Sequence, residues 1–144
     1  MTAHRIRLPL LIAVSASLAG IFGCPDLQPA NGVMHGTWLL TPSQNANPPV
    51  TNILLTFDPT GQLTTMSYTV NGTTLTWNDP PPFVAVDGTS VRITATQSGN
   101  GLMFDGTLNS ATAPTSATGT LSANLVVGNL TVSVPQGTAT LTKQ

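Results

Sequence analysis

The stretch NILLTFDPTGQLTTMSYTVNGTTLTW, residues 52 to 77, holds three apolar runs of period two separated by two turn signals. Ile53, Leu55 and Phe57 alternate with Asn52, Thr56 and Asp58. The Asp58-Pro59-Thr60-Gly61 turn then leads into Met66, Tyr68 and Val70. Asn71-Gly72, a dipeptide whose backbone tolerates the positive φ of a tight hairpin, leads into Leu75 and Trp77 against Thr74, Thr76 and Asn78. Alternation at this period buries one face of a strand and wets the other, so the three runs predict one antiparallel meander.

The same reading extends outward from Val33, with Thr abundant and no helical period. Val91, Ile93 and Ala95 precede a Ser98-Gly99-Asn100-Gly101 turn, and Leu102, Phe104 and Leu108 follow it. After a small-residue loop from Asn109 to Thr118 come Leu121, Ala123, Leu125 and Val127. Gly128-Asn129 turns the chain into Leu130, Val132 and Val134, and Pro135-Gln136-Gly137 is read as a further turn into Ala139 and Leu141. The expected fold is all-β: an antiparallel up-and-down meander closing into a small barrel, with a two-sheet β-sandwich as the alternative. Gly106-Thr107-Leu108 and Gly119-Thr120-Leu121 look alike and are read as strands with similar local needs, not as a repeat.

Composition limits what such a domain does. The chain has 144 residues, with 4 Lys+Arg and 5 Asp+Glu. Arg5 and Arg7 lie at the start, leaving Arg92 and Lys143 as the later fixed cations, too few to neutralise a phosphate backbone. Nucleic acid is therefore excluded as a partner. A hydrophobic content of 40% argues equally against a disordered chain.

Met1 to Arg7 carries positive charge, Leu8 to Gly23 is an uncharged run of apolar or small residues, and Cys24 ends it, which is the layout of an export signal. As a helix that run would span roughly 24 Å, short of a hydrocarbon core of about 30 Å, and Cys24-Pro25-Asp26 would stop it. Cleavage fits better than a permanent span. Ile21-Phe22-Gly23-Cys24 resembles the lipobox of bacterial lipoproteins, in which the Cys is lipidated and becomes the first residue of the mature chain. The chain has 1 Cys, and it stands at that position. The resemblance implies a cleaved signal peptide at 1–23, a lipidated Cys24 with an extended tether through residue 32, and a single β domain at 33–144. It also implies a palmitate-type anchor in a bilayer at the cell envelope, with the domain facing the extracytoplasmic side, as in a periplasm. Several acyl chains, each methylene contributing about 0.8 kcal/mol, hold a protein durably where one would not.

Gly36-Thr37-Trp38, on the first expected strand, resembles the Gly-x-Trp signature of lipocalins and their calycin relatives. The resemblance implies that Trp38 packs across the closed end of a barrel. Lipocalins commonly stack a late basic residue on that Trp, and Lys143 is the one available near the end. The final helix typical of full-length lipocalins has no counterpart.

Catalytic material is thin. His35 stands alone, the Asp residues fall largely at turns, and neither a nucleophile elbow nor a phosphate loop nor a metal-ligand spacing occurs. No cofactor is expected. Asn71-Gly72-Thr73 and Asn129-Leu130-Thr131 match glycosylation acceptors but read as hairpin turns. The most distinctive segment is Trp77-Asn78-Asp79-Pro80-Pro81-Pro82-Phe83, whose aromatics either line a pocket mouth, form a flat sugar-binding face, or face the core on adjacent strands. The leading expectation is a non-enzymatic lipoprotein whose β domain is a structural or interaction module, its partners the bilayer and an envelope protein. The second is a carrier of a small apolar ligand, held in a calyx lined by Tyr68, Trp77, Phe83 and Phe104. An enzyme would require His35 within hydrogen-bond reach of an Asp.

Overall fold

The computed structural model describes residues 32–78 and 82–144. Among them are nine strands and no helix: β1 (Gly36–Pro42), β2 (Val50–Phe57), β3 (Leu63–Val70), β4 (Thr73–Asn78), β5 (Pro82–Asp87), β6 (Ser90–Gln97), β7 (Asn100–Leu108), β8 (Ser116–Val127) and β9 (Leu130–Lys143). They form a single sheet in the order β4-β3-β2-β1-β9-β8-β7-β6-β5, every neighbouring pair antiparallel. The fold is the expected up-and-down meander. One continuous sheet replaces the sandwich alternative.

Strand direction shows how the two ends of the nine-stranded order are related. β4 runs opposite to β3 and therefore opposite to β1, and β5, reached from β1 through β9, β8, β7 and β6, also runs opposite to β1. Consecutive strands β4 and β5 thus point the same way, as two halves of one run that changes partner from β3 to β6 across residues 79–81. Counted so, the meander has an even number of antiparallel runs, the condition for every neighbour in a closed up-and-down ring to be antiparallel.

Tyr68 shows that the sheet is rolled. Its hydroxyl, on β3, donates to the carbonyl of Val126 on β8 at 3.0 Å. In a flat sheet those strands, four places apart in the order, would be separated by about 19 Å. A tyrosine side chain bridges that distance only if the sheet curls until its inner face meets itself. The inner face is correspondingly one contiguous apolar core, including Trp38, Leu55, Phe57, Met66, Tyr68, Ile93, Phe104, Leu121, Leu125 and Leu141.

Three expectations are corrected. Pro135-Gln136-Gly137 is not a turn: β9 runs unbroken through it, and the register to β8 jumps there. Val132 and Val134 are buried before the jump and Ala139 and Leu141 after it, so an extra residue in β9 resets which parity faces inward. Pro135 is tolerated because a bulge needs no ladder bond at that place. Trp77 and Phe83 do not share the core from adjacent strands; they lie on either side of the break, Trp77 buried and Phe83 45% exposed. Leu130, expected inside, sits beside the β8–β9 turn and is 43% exposed.

The two similar fragments acquire a joint role. Gly106 and Gly119 are direct partners across β7 and β8. A Cβ on Gly106 would lie 2.6 Å from the Phe104 ring, and one on Gly119 would run into the Asp105 carbonyl. The paired glycines let Phe104 fold flat over its own strand at a point where two backbones approach closely.

Candidate functional site

Of the four aromatic residues expected to line a calyx, the fold brings Tyr68 and Trp77 together and buries Phe104 in the same core. β3 and β4 place Tyr68 and Trp77 edge to face, ring centroids 5.9 Å apart and planes at 90°, the arrangement in which the positive edge of one ring meets the negative face of the other. Phe83 points outward.

The hydroxyl of Tyr68 makes the polar link across the core. Besides the Val126 carbonyl it lies 3.3 Å from Oδ1 of Asn100, and the same oxygen accepts the Val126 backbone N–H. Burial pushes the Tyr68 phenol above its usual range, since the phenolate would lose hydration; the neighbouring Trp77 acts in the opposite direction. The sequence marks Asn100 only as a turn residue. Its role depends on β3 meeting the β6–β7 turn, which no local spacing encodes.

The opposite feature lies at the other end of the strands, around Trp38. Its indole Nε1 donates to the Met34 carbonyl at 2.7 Å, and the ring is fully buried. Lys143 is its register partner on β9, with the ammonium 5.7 Å from the ring centroid, the distance of a cation–π contact. Gly36 has φ of 114°, a conformation L side chains avoid, and a Cβ there would lie 3.1 Å from Cε of Lys143. The basic residue stacked on Trp38 is thus Lys143, and Gly36 clears its path.

Reactive groups are dispersed. His35 is exposed, and among the described residues no three His, Cys, Asp or Glu side chains converge as a metal site would require. Asp58 caps its turn, Oδ1 accepting from the Thr60 hydroxyl at 2.7 Å, the Thr60 amide at 2.8 Å and the Gln62 amide at 3.0 Å; these bonds hold its carboxyl below the usual range. Arg92 and Asp105 pair at 2.5 Å on the outside, and the bond holds the guanidinium further up. Cys24, Asp26 and Asp79 lie outside the described residues.

Surface hollows of about 210 Å³ to about 510 Å³ occur among the described residues. None of the four described hollows is lined by Tyr68, Trp77, Phe83 or Phe104. Among the described residues no helix is long and apolar enough to cross a membrane. No family model, no curated protein and no solved structure matches the chain.

Proposed function

We propose that the protein is an envelope lipoprotein, anchored through acylated Cys24, whose barrel is a non-catalytic structural or interaction module. The observation that carries the proposal is the position of the single Cys, immediately after Gly23 at the end of an uncharged leader. A lone thiol in an exported chain has no internal disulfide partner, and acylation gives it a use. The described domain begins at Gly32, whose amide bonds to the Thr60 carbonyl in the β2–β3 turn, so the chain enters next to the Trp38 end. In this reading the anchor sits at that end and the β6–β7 and β8–β9 turns face away from the lipid.

An apolar core that contains Tyr68, Trp77 and Phe104, together with dispersed titratable groups, favours a module that binds by its outer wall over a catalyst. The carrier reading draws on a different observation, the Gly36, Trp38 and Lys143 arrangement at one barrel end. It would have its ligand displace core side chains, and the ligand would be apolar.

The test is metabolic labelling with an alkynyl palmitate analogue, followed by cell fractionation. The parent chain is expected to take up label and sediment with membranes, and Cys24→Ala to lose the label and leave the membrane fraction. Tight membrane association of the unlabelled variant would contradict the anchor. Organic extraction of the purified protein addresses the carrier: a stoichiometric apolar compound besides the anchor would favour it.

A further inference from the structure

We infer that the outer wall over β5 to β8 is a binding site for an uncharged oligosaccharide. Outward side chains there fall in two register rows. One is Phe83, Thr94, Met103 and Ser122; the next is Thr96, Gly101, Asn124 and Ser133. Phe83 and Met103 are two of the three large apolar side chains exposed among the described residues, at 45% and 43%. They stand on one row with only Thr94 between them, about 10 Å apart at the spacing of two strands. Exposed apolar side chains gathered on one row mark a surface as a candidate contact site more than the same residues scattered singly would.

A hollow of about 250 Å³ adjoins this shelf, lined by Thr94, Thr96, Gly101, Met103, Ser122 and Asn124 above a floor of Leu102, Ala123 and Val134. Gly101 makes the hollow: a Cβ built on it meets nothing within 4 Å, whereas its row neighbours Thr96 and Asn124 carry side chains. Every polar group on its rim is a neutral hydroxyl or amide. On the next row down, Arg92 and Asp105 neutralise each other, and the second hollow beyond Phe83 and Met103 adds the carboxylate of Asp87.

A sugar ring presents a face of C–H groups and a rim of hydroxyls, so it needs an apolar shelf beside neutral donors and acceptors. That is the chemistry of this wall. Asp87, which makes no ion pair among the described residues, opposes an anionic glycan with its carboxylate. This inference stands apart from the anchor, since it rests only on the outer wall.

The test titrates the protein as isolated from the cells that make it, nitrogen-labelled and held in a detergent without sugar headgroups, with cellohexaose, maltohexaose and N-acetylchitohexaose. At least one is expected to bind saturably and shift the amide resonances of Thr94, Gly101 and Met103. Phe83→Ala, which removes the shelf, and Gly101→Thr, which builds into the hollow from a Cβ that meets nothing within 4 Å, are each expected to weaken that binding by about tenfold or more. Leu130→Ser, an exposed apolar residue elsewhere, is expected to bind as the parent does. The assignment is overturned if none of the three sugars binds, if Phe83→Ala and Gly101→Thr bind like the parent, if Leu130→Ser loses as much as they do, or if a sulfated hexasaccharide binds more tightly.

Discussion

Two parts of the barrel wall carry opposite solutions to the same problem. At the β1–β9 junction the first and last strands pair without interruption from Trp38 opposite Lys143 to Pro42 opposite Ala139. At the β4–β5 junction, consecutive strands joined by residues 79–81 do not pair with each other and hand the wall from β3 to β6. The difference follows from direction. β1 and β9 run antiparallel and can ladder directly, whereas β4 and β5 point the same way and are separated by only three residues, too short a link to bring parallel strands side by side. Closure at the first junction is made by backbone pairing plus one buried ring; near the second it is helped by a side chain, Tyr68, reaching through the core to β8.

The comparison predicts unequal sensitivity. Trp38→Ala removes a fully buried ring and its bond to Met34, and is expected to lower unfolding free energy by about 3–5 kcal/mol. Phe83→Ala, at the other junction, should stay within about 0.5 kcal/mol. Urea unfolding followed by fluorescence reads both, with Trp77 reporting on the first variant; equal losses would erase the distinction. Gly119→Ala, which forces a Cβ onto the Asp105 carbonyl, should cost about 1–3 kcal/mol by the same measurement.

Tyr68→Phe sharpens the account of the second junction. It leaves the ring packing intact and deletes the bond to Val126, for an expected loss of about 1 kcal/mol, with faster amide exchange in the β8–β9 hairpin than in β1. The phenol also gives a pH signature. Its folded pKa is raised by burial, so its contribution to stability is fully present below the unfolded value near 10 and is lost as pH rises through the folded value. Because the chain has 1 Tyr, an absorbance titration follows Tyr68 directly, and a phenol ionising below 10 in the native protein would contradict the burial argument. The smallest effect belongs to Lys143→Gln, about 0.5–1 kcal/mol for loss of the ammonium over Trp38.

Much of this architecture is legible in residues alone. Alternation in Ile53-Leu55-Phe57 and Met66-Tyr68-Val70 reports burial residue by residue, because a strand with one wet face must repeat every second position. Asn71-Gly72 turns where its backbone preference says it will, Asn71 at φ of 50° and Gly72 at 76°. Where local chemistry fits two outcomes, partners elsewhere decide. Pro135-Gln136-Gly137 carries the residues of a turn and of a bulge, and only pairing to β8 selects the bulge. Pro80 to Pro82 reads as a stiff connection, but that it joins two halves of one run follows from strand directions set by β1 and β9. Tyr68 and Trp77 are recognisable as inward by parity; Asn100 as the partner of Tyr68 is a long-range contact with no local trace.

The account depends most on what becomes of Cys24. Intact-mass spectrometry of the protein isolated from the cells that make it should find a polypeptide beginning at Cys24, heavier than its amino acids by the mass of several acyl groups. A chain retaining residues 1–23, with an unmodified thiol at Cys24, would contradict it.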